Sequence, residues 1–507
     1  MLKLLRAGVL PTVSGVLYFL SWIGFGIWPL TFVCLVPLAW ALRRATLKQA
    51  LALGAWMGFI THLGGYTWVI HLLTVFAFLP LPVAVLGYLL ICAGQGFLFA
   101  VFAWLARYAW VRTRWPLGLI LPLAIGATEF VYPLLFQSYT GVALMPLLPV
   151  IQIADLGGPL ALSMLVAAVN GALADLLLWR SRQTGKIPLF SSAGVLLVFV
   201  ASFVYGSWRI SGVEKLQQQA EHVAVGLAQP DVGEVELHYN PRASVRILQE
   251  QTASLYTRGA DLAIWPEVGF NTRPVQLGDR SIGREILGGV PVALIAGVIR
   301  VDGKDTWNSA VVISKDGAVG DYFDKINLLA FGEYIPFGEW FPIVYKWSPM
   351  SSHLSRGKTT APLQVGRWRF ATYICYEDIL PALVRETMED HGKGRAQAMV
   401  NLTNDSWYGA GHEQEQHLQL AALRSAEHHR WLLRATSTGI SAFVDATGRV
   451  VKRIPANVRD TALEAVPMLE GVTVYERLGD WPGWLSSAVL VLISARSLWT
   501  RRGASKG

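Results

Sequence analysis

The sequence predicts a polytopic α-helical membrane protein of eight spans that carries a folded α/β domain outside the cytoplasm. Three observations predict it. Of 507 residues, 53% are hydrophobic and only 15% charged, with a mean hydropathy of +0.40, too apolar for an ordinary soluble protein. Charge is unevenly placed: residues 1–210 hold three acids (Glu129, Asp155, Asp175) against twelve Lys and Arg, a net +9, whereas residues 211–507 hold 32 acids and 31 bases, a net −1. The basic surplus therefore belongs to loops beside a membrane and not to a nucleic-acid face. Past residue 220, short β-rich runs alternate with amphipathic stretches, the order of a layered α/β domain.

Ala7 to Leu42 contains no charge, room for two spans of about 18 residues each, with Gly24, Gly26 and Pro29 between them. Gln49 to Ala106 is again charge-free and holds two more, broken near Pro80 and Pro82. The fifth span is expected over Pro116–Val131, the sixth over Pro159–Leu178, the seventh over Ser192–Trp208 and the eighth over Trp484–Leu498. Basic clusters follow at Lys3 and Arg6, Arg43, Arg107, Arg180, and Arg501 to Lys506, while the loops near residues 25, 76 and 135–157 carry no Lys or Arg. Eight spans with both termini cytoplasmic place every cluster inside. The chain then divides into a membrane domain over residues 1–211, an extracytoplasmic domain over 212–480, and a last span with a short cytoplasmic tail over 481–507.

Within the membrane part, residues 135–157 are apolar but interrupted by Gly141, Pro146 and Pro149. They read either as an outward-facing or re-entrant arm at the lipid surface or as an ordinary loop. No cleavable signal peptide is expected, because the first apolar run continues into more membrane sequence. Cys34 and Cys92 lie in apolar spans and read as packing residues, which leaves no disulfide framework. Glu129 and Asp175 read as hydrogen-bonding acids between helices, since no pump-like series of such acids accompanies them. His62 and His71 read as packing or interfacial residues. No His/Cys set has ligand spacing and no glycine-rich phosphate loop stands out, so neither metal nor cofactor is expected.

In the extramembrane part, strands are expected at His222–Ala228, Leu262–Trp265, Val292–Val298, Ala310–Ser314, Phe370–Ile374, Ala398–Leu402 and Ile440–Val444, with helices at Arg242–Tyr256 and Gln416–Arg430. Cys375 ends the run Trp368–Ile374, and Ile379, Leu380, Leu383, Val384 and Met388 then recur at helical spacing. That places Cys375 at an exposed strand-to-helix turn, where a helix N-terminus favours a thiolate and Glu377 and Asp378 oppose it. Alone, such a cysteine reads first as a small buried hydrophobe. A nucleophile needs a base and oxyanion donors. Glu267, past the Trp-Pro that follows a strand, and Lys325, in Tyr322-Phe-Asp-Lys-Ile-Asn327 and followed by Phe331-Gly-Glu-Tyr-Ile-Pro336, offer them.

The order Glu267, Lys325, Cys375 in these contexts resembles the nitrilase (carbon–nitrogen hydrolase) superfamily. Four further stretches make it similar to the apolipoprotein N-acyltransferase family: Ile374-Cys-Tyr-Glu-Asp378, Asn401-Leu-Thr-Asn-Asp-Ser-Trp-Tyr-Gly409, Gln416-His-Leu-Gln419 and Leu433-Arg-Ala-Thr-Ser-Thr-Gly-Ile-Ser441. The resemblance implies an α-β-β-α sandwich on the periplasmic side of a bacterial inner membrane. It implies Glu267 as general base, Lys325 as oxyanion stabiliser and Cys375 as the thiol that carries the acyl chain. Glu333 matches a second acid that orients Lys325 or the substrate amine, Tyr376 and Glu377 match positions that shape the pocket, and Tyr239 matches an aromatic at its mouth. The N–H after Cys375 is a second oxyanion donor. The implied reaction moves an acyl chain from a membrane phospholipid to the α-amino group of a diacylglyceryl-cysteine on an apolipoprotein, by a monomer in the bilayer and without nucleic acid. Ala330 replaces an expected proline, and Gly409-Ala-Gly-His-Glu-Gln-Glu415 lacks another. Both departures touch loop shape and not the triad.

Two other readings stay open at this point. A membrane-anchored amidase or nitrilase would keep the triad and act on a small amide in a water-filled site. A transporter or receptor with an inert outer domain would need discontinuous paired helices and a broken triad.

Overall fold

The computed structural model describes residues 2–22, 24–77, 79–183, 187–233, 239–329, 333, 354–409 and 411–504. They form two compact units, one of Met1–Ile70, Leu81–Ser211 and Thr473–Gly507, the other of His71–Pro80 and Gly212–Val472.

The first unit is helical. Among the described residues, the helices Leu81–Thr113, Ala154–Arg180 and Leu189–Gln219 are long and apolar enough to cross a membrane, and shorter apolar helices cover Gly8–Ser21, Trp28–Leu42 and Leu117–Val131. Small residues bring Leu47–Gly65 against Leu81–Thr113: a Cβ on Gly58 would lie 2.0 Å from the carbonyl oxygen of Gly96. Such close backbone approach is how helices associate where apolar surroundings supply no other drive. Two of the buried acids act as the sequence predicts. Asp175 accepts the N–H of Gly118 across two helices at 3.0 Å, and Glu129 accepts the N–H and hydroxyl of Thr140 at 2.9 and 2.5 Å. That second pair pins the turn Thr140–Leu144, all of it buried. This part of 135–157 is thus packed interior and not an arm on the lipid surface.

Among the described residues, the second unit holds two sheets. Its strands are β1 (His222–Gln229), β2 (Leu262–Ile264), β3 (Phe270–Val275), β4 (Ala293–Asp302), β5 (Asp305–Ile313), β6 (Val319–Asp324), β7 (Leu363–Val365), β8 (Trp368–Ile374), β9 (Ala398–Thr403), β10 (Leu432–Thr436), β11 (Ser441–Val444), β12 (Val450–Ile454) and β13 (Asp460–Pro467). One sheet runs β13-β1-β2-β4-β5-β6 with β3 beside β4, and the other runs β12-β11-β10-β9-β8-β7. Parallel pairs lie at the centre of each, β1-β2-β4 and β8-β9-β10, where both faces are covered.

The period of two along each strand builds the layers. Leu262 and Ile264, Ala293 and Ile295, and Ala310 and Val312 point into one core with Phe370, Ile374, Val400 and Leu433 of the other sheet. Their neighbours Ala263, Trp265, Leu294, Ala296 and Val311 point the other way, against Leu248 and Leu255 of helix Pro241–Thr257 and Ile282 and Ile286 of helix Arg280–Leu287. On the far side of the second sheet, Tyr373 bonds Thr387 of helix Pro381–Thr387 at 2.6 Å. The result is the α-β-β-α order. Each of the seven strand runs read from the sequence overlaps a strand, and both helices read there form, as Pro241–Thr257 and Glu413–His428.

Candidate active site

Strand β8 delivers Cys375, but not as an exposed residue at a helix N-terminus. The thiol is 3% exposed, its backbone is left-handed at φ 57°, and the chain continues as a 3-10 turn, Cys375–Ile379, with the α-helix starting only at Pro381. The cause is Glu377. Its carboxylate folds back to accept the N–H of Ile374 at 3.0 Å and those of Ile326 and Asn327 at 2.8 Å each. A side chain that takes three backbone donors holds a turn that helix propagation would open.

Glu267 comes from the end of β2. After Trp265 and Pro266 the chain turns sharply, with Val268 at φ 50°, an uncommon conformation for a β-branched residue and a mark of local strain. Gly297 on β4 makes room for this loop, since a Cβ there would sit 2.2 Å from the Pro266 carbonyl oxygen. Lys325 follows β6, its own N–H bonded to the Asn308 carbonyl of β5 at 2.9 Å. Its Nζ lies 3.2 Å from Glu267 Oε1 and 2.9 Å from Glu333 Oε2. The side-chain amide of Asn308 donates to both acids, at 2.8 and 2.9 Å, and the Asn404 N–H donates to the other oxygen of Glu267 at 3.1 Å.

Electrostatics tie Cys375 to this group. Burial, then Glu267, hold its thiol well above the usual range, and Lys325 works against them. Burial raises Glu267 too, with Lys325 opposing and Glu333 reinforcing. Burial works against the charge of Lys325, but Glu267 and Glu333 outweigh it and lift the ammonium well above its ordinary range. The resting arrangement is thus a protonated thiol, a permanent cation and a carboxyl group with raised proton affinity. It can take a proton from sulfur and stabilise negative charge beside it.

Of the other residues named from the sequence, Glu333 is part of this group. The Tyr376 ring lies 5.8 Å from Lys325 Nζ, and its hydroxyl donates to the Leu328 carbonyl at 3.3 Å. Burial pushes Glu377 up to about 7; it braces the turn from below. Tyr239 is 81% exposed and stands outside the buried group. Ala330, Phe331, Gly332, Tyr334 to Pro336, Leu237 and His238 lie outside the described residues. Asn308 escapes sequence reasoning. Its only signal is an amide two residues before the apolar run Ala310–Ile313.

A second buried group adjoins the Cys375–Ile379 turn. Asp405, Glu413 and His417 bring donor atoms within 4.8 Å of one another, a set that could ligate a cation. The guanidinium of Arg434 already occupies that role, 2.9 Å from Asp405 and 3.0 Å from Asp378. His417, with Nε2 3.0 Å from Asp378 and Nδ1 3.3 Å from Asp405, feels burial and Arg434 pulling it down, yet the acids carry it up to about 9. Burial and then Asp405 raise Glu413 to about 8. Two carboxylates therefore face two cations, and a metal ion would meet an unfavourable guanidinium.

Comparisons with known proteins agree along the chain. Residues 14–172 match the family model of the apolipoprotein N-acyltransferase N-terminal domain, and residues 224–470 that of carbon-nitrogen hydrolase. Among solved structures, a nitrilase-superfamily amidase from Nesterenkonia is 19% identical with a TM-score of 0.38, covering 49% of this chain and 92% of its own. Relatives described as apolipoprotein N-acyltransferase include those of Geobacter metallireducens, 28% identical over 97% of this chain and 95% of the relative, and Pseudomonas aeruginosa, 29% over 96% and 94%. One from Gloeobacter violaceus is 30% identical over 95% of this chain and 92% of its own length. With a membrane-type N-terminal part and a nitrilase-like sheet domain in one chain, and with relatives matched nearly end to end, the chain belongs to the apolipoprotein N-acyltransferase family.

Proposed function

We propose that this chain N-acylates apolipoproteins through a triad of Glu267, Lys325 and Cys375, by a ping-pong route. Glu267 takes the thiol proton as Cys375 attacks the ester carbonyl of a membrane phospholipid. Lys325 and the N–H that follows Cys375 stabilise the oxyanion, and the lysophospholipid leaves with the proton from Glu267. The α-amine of a diacylglyceryl-cysteine, deprotonated by the same carboxylate, then attacks the thioester. Amide and free thiol result. The observation that carries this reading is the buried contact of Lys325 with Glu267 and Glu333 in a field that also includes Cys375. Glu333 holds the lysine, Tyr376 and Glu377 shape the pocket floor, and Tyr239 stands at its mouth.

The same reading places the protein in a bacterial inner membrane as a monomer with eight spans. Seven lie before residue 212 and one after residue 480, both termini are cytoplasmic and the catalytic domain is periplasmic. Long apolar helices and the basic clusters of residues 1–210 support it. Water would also cleave the thioester, so a site served by lipids in the plane of the bilayer suits transfer.

The test is intact mass spectrometry after incubation with phospholipid. An acyl adduct on wild type and none on Cys375→Ala is expected, discharged by a diacylglyceryl-cysteine peptide and only slowly by water. An adduct lost equally fast to water would make the protein a hydrolase of the amidase type. An adduct that survives in Cys375→Ala would assign the wrong nucleophile.

A further inference from the structure

Arg434 sits in the middle of β10, paired in register with Asn401 of β9, which in turn pairs with Tyr373 of β8. The guanidinium is fully buried. Its NH1 donates to Asn401 Oδ1 and to Asp378 Oδ2, both at 3.0 Å, and its NH2 donates to Asp405 Oδ2 at 2.9 Å. Two chains of contacts lead from it to the reacting groups. In one, Asn401 passes its own amide to the carbonyl oxygen of Cys375 at 2.8 Å. In the other, Asp405 anchors the turn whose preceding residue, Asn404, donates its N–H to Glu267 at 3.1 Å. Gly439 clears the space for Asp405, since a Cβ there would meet its Oδ2 at 2.1 Å.

We propose that Arg434 is a positioning residue that sets the spacing and alignment of Cys375 against Glu267, acting through Asn401 on one side and Asp405 on the other. This rests on the reading of Cys375 as nucleophile and Glu267 as base. Both sit beside strained backbone, Cys375 at φ 57° itself and Glu267 next to Val268 at φ 50°. Such conformations persist only where surrounding bonds over-determine them. A planar fork that reaches both turns at once meets that need. A lysine does not, because a single ammonium lacks the fork.

The experiment measures single-turnover acylation of Cys375 by intact mass in the full-length protein, across a range of phospholipid concentrations. It compares wild type, Arg434→Lys, Asn401→Ala, Glu267→Gln and the double variant Arg434→Lys/Glu267→Gln. Arg434→Lys and Asn401→Ala should each lower the maximal acylation rate about 100-fold, the usual effect of a small misalignment, with the half-saturating phospholipid concentration unchanged. In the Glu267→Gln background, Arg434→Lys should cost almost nothing more, because residues that act as one unit are not additive. A full additional loss there, or a shift in half-saturation in place of the rate, would overturn the proposal. Should Arg434→Lys fail to fold, Asn401→Ala carries the test, since it leaves every buried charge in place. Glu267→Gln acylating as fast as wild type is a separate result that removes the triad itself.

Discussion

Oε1 of Glu377 accepts the backbone N–H of Ile326 at 2.8 Å, which ties the residue two places past Cys375 to the residue just past Lys325. The same carboxylate also takes the N–H groups of Asn327 and Ile374. Removing it orphans three donors, two just past Lys325 and one just before Cys375. Glu377→Ala should therefore destabilise the sheet unit by roughly 1–3 kcal/mol for each N–H left dry and abolish acylation. Glu377→Gln should fall between, because its amide can accept at one position but sets donor against donor at the other. Thermal unfolding alongside thioester formation checks this. An unchanged melting temperature for Glu377→Ala would contradict it.

The pH dependence of thioester formation follows from Glu267. Its carboxyl is held above the ordinary 4.5 by burial and by Glu333, against the pull of Lys325. In the proposed role of base it works only when deprotonated, so the rate should rise with pH through a limb lying above the usual carboxylate range. Glu333→Gln removes a like charge and should move that limb to lower pH, even as it lowers the plateau by loosening Lys325. Single-turnover rates against pH for both proteins test the sign. A limb that moves upward would mean that the titrating group is not Glu267.

Gly297 is the place where a single methyl should disturb Glu267. A Cβ there would lie 2.2 Å from the Pro266 carbonyl oxygen, 2.7 Å from the Val268 nitrogen and 2.8 Å from the Glu267 Cα. The neighbours are backbone and yield little. Gly297→Ala should cost about 100-fold in acylation, the scale on which misplaced reacting groups lose rate. Gly320→Ala on β6, where the nearest atom is 3.9 Å away, is the matched control and should leave activity near that of wild type. Equal activity of the two variants would detach the Pro266–Val268 loop from catalysis.

What the sequence makes legible depends on how apolar a segment is on both faces. β8 and β9 are buried strands and read as such from Phe370–Ile374 and Ala398–Leu402. β10 hides because Arg434 interrupts it, although that charge is fully buried and paired. β12 hides because Lys452 and Arg453 face solvent, and β3 because Pro274 lies inside a strand at the margin of its sheet. In the site, Glu267, Lys325 and Cys375 are legible through their flanking motifs. The burial of Cys375 is not, since it depends on Glu377 folding back onto a segment some fifty residues earlier. Nor is the pairing of Asn308 with Glu267 and Glu333, which needs residues that follow β2 and β6 to meet β5.

The helical unit offers a test that is independent of chemistry. On Leu47–Gly65, a Cβ at Gly58 would stand 2.0 Å from the Gly96 carbonyl oxygen of Leu81–Thr113, and one at Gly96 would stand 2.5 Å from the Gly58 carbonyl carbon. The contact is backbone against backbone, so neither side can rotate out of the way and the helices must separate. Gly94, two residues from Gly96, has nothing within 4 Å of its would-be Cβ. Gly58→Ala and Gly96→Ala should each destabilise this unit by about 1–3 kcal/mol, the range for overpacking, whereas Gly94→Ala should be neutral or slightly stabilising through helix propensity. The fraction of monodisperse protein that survives a heating series in detergent reads the difference directly. If Gly58→Ala melts with Gly94→Ala, the close approach of these two helices is not what holds the unit together.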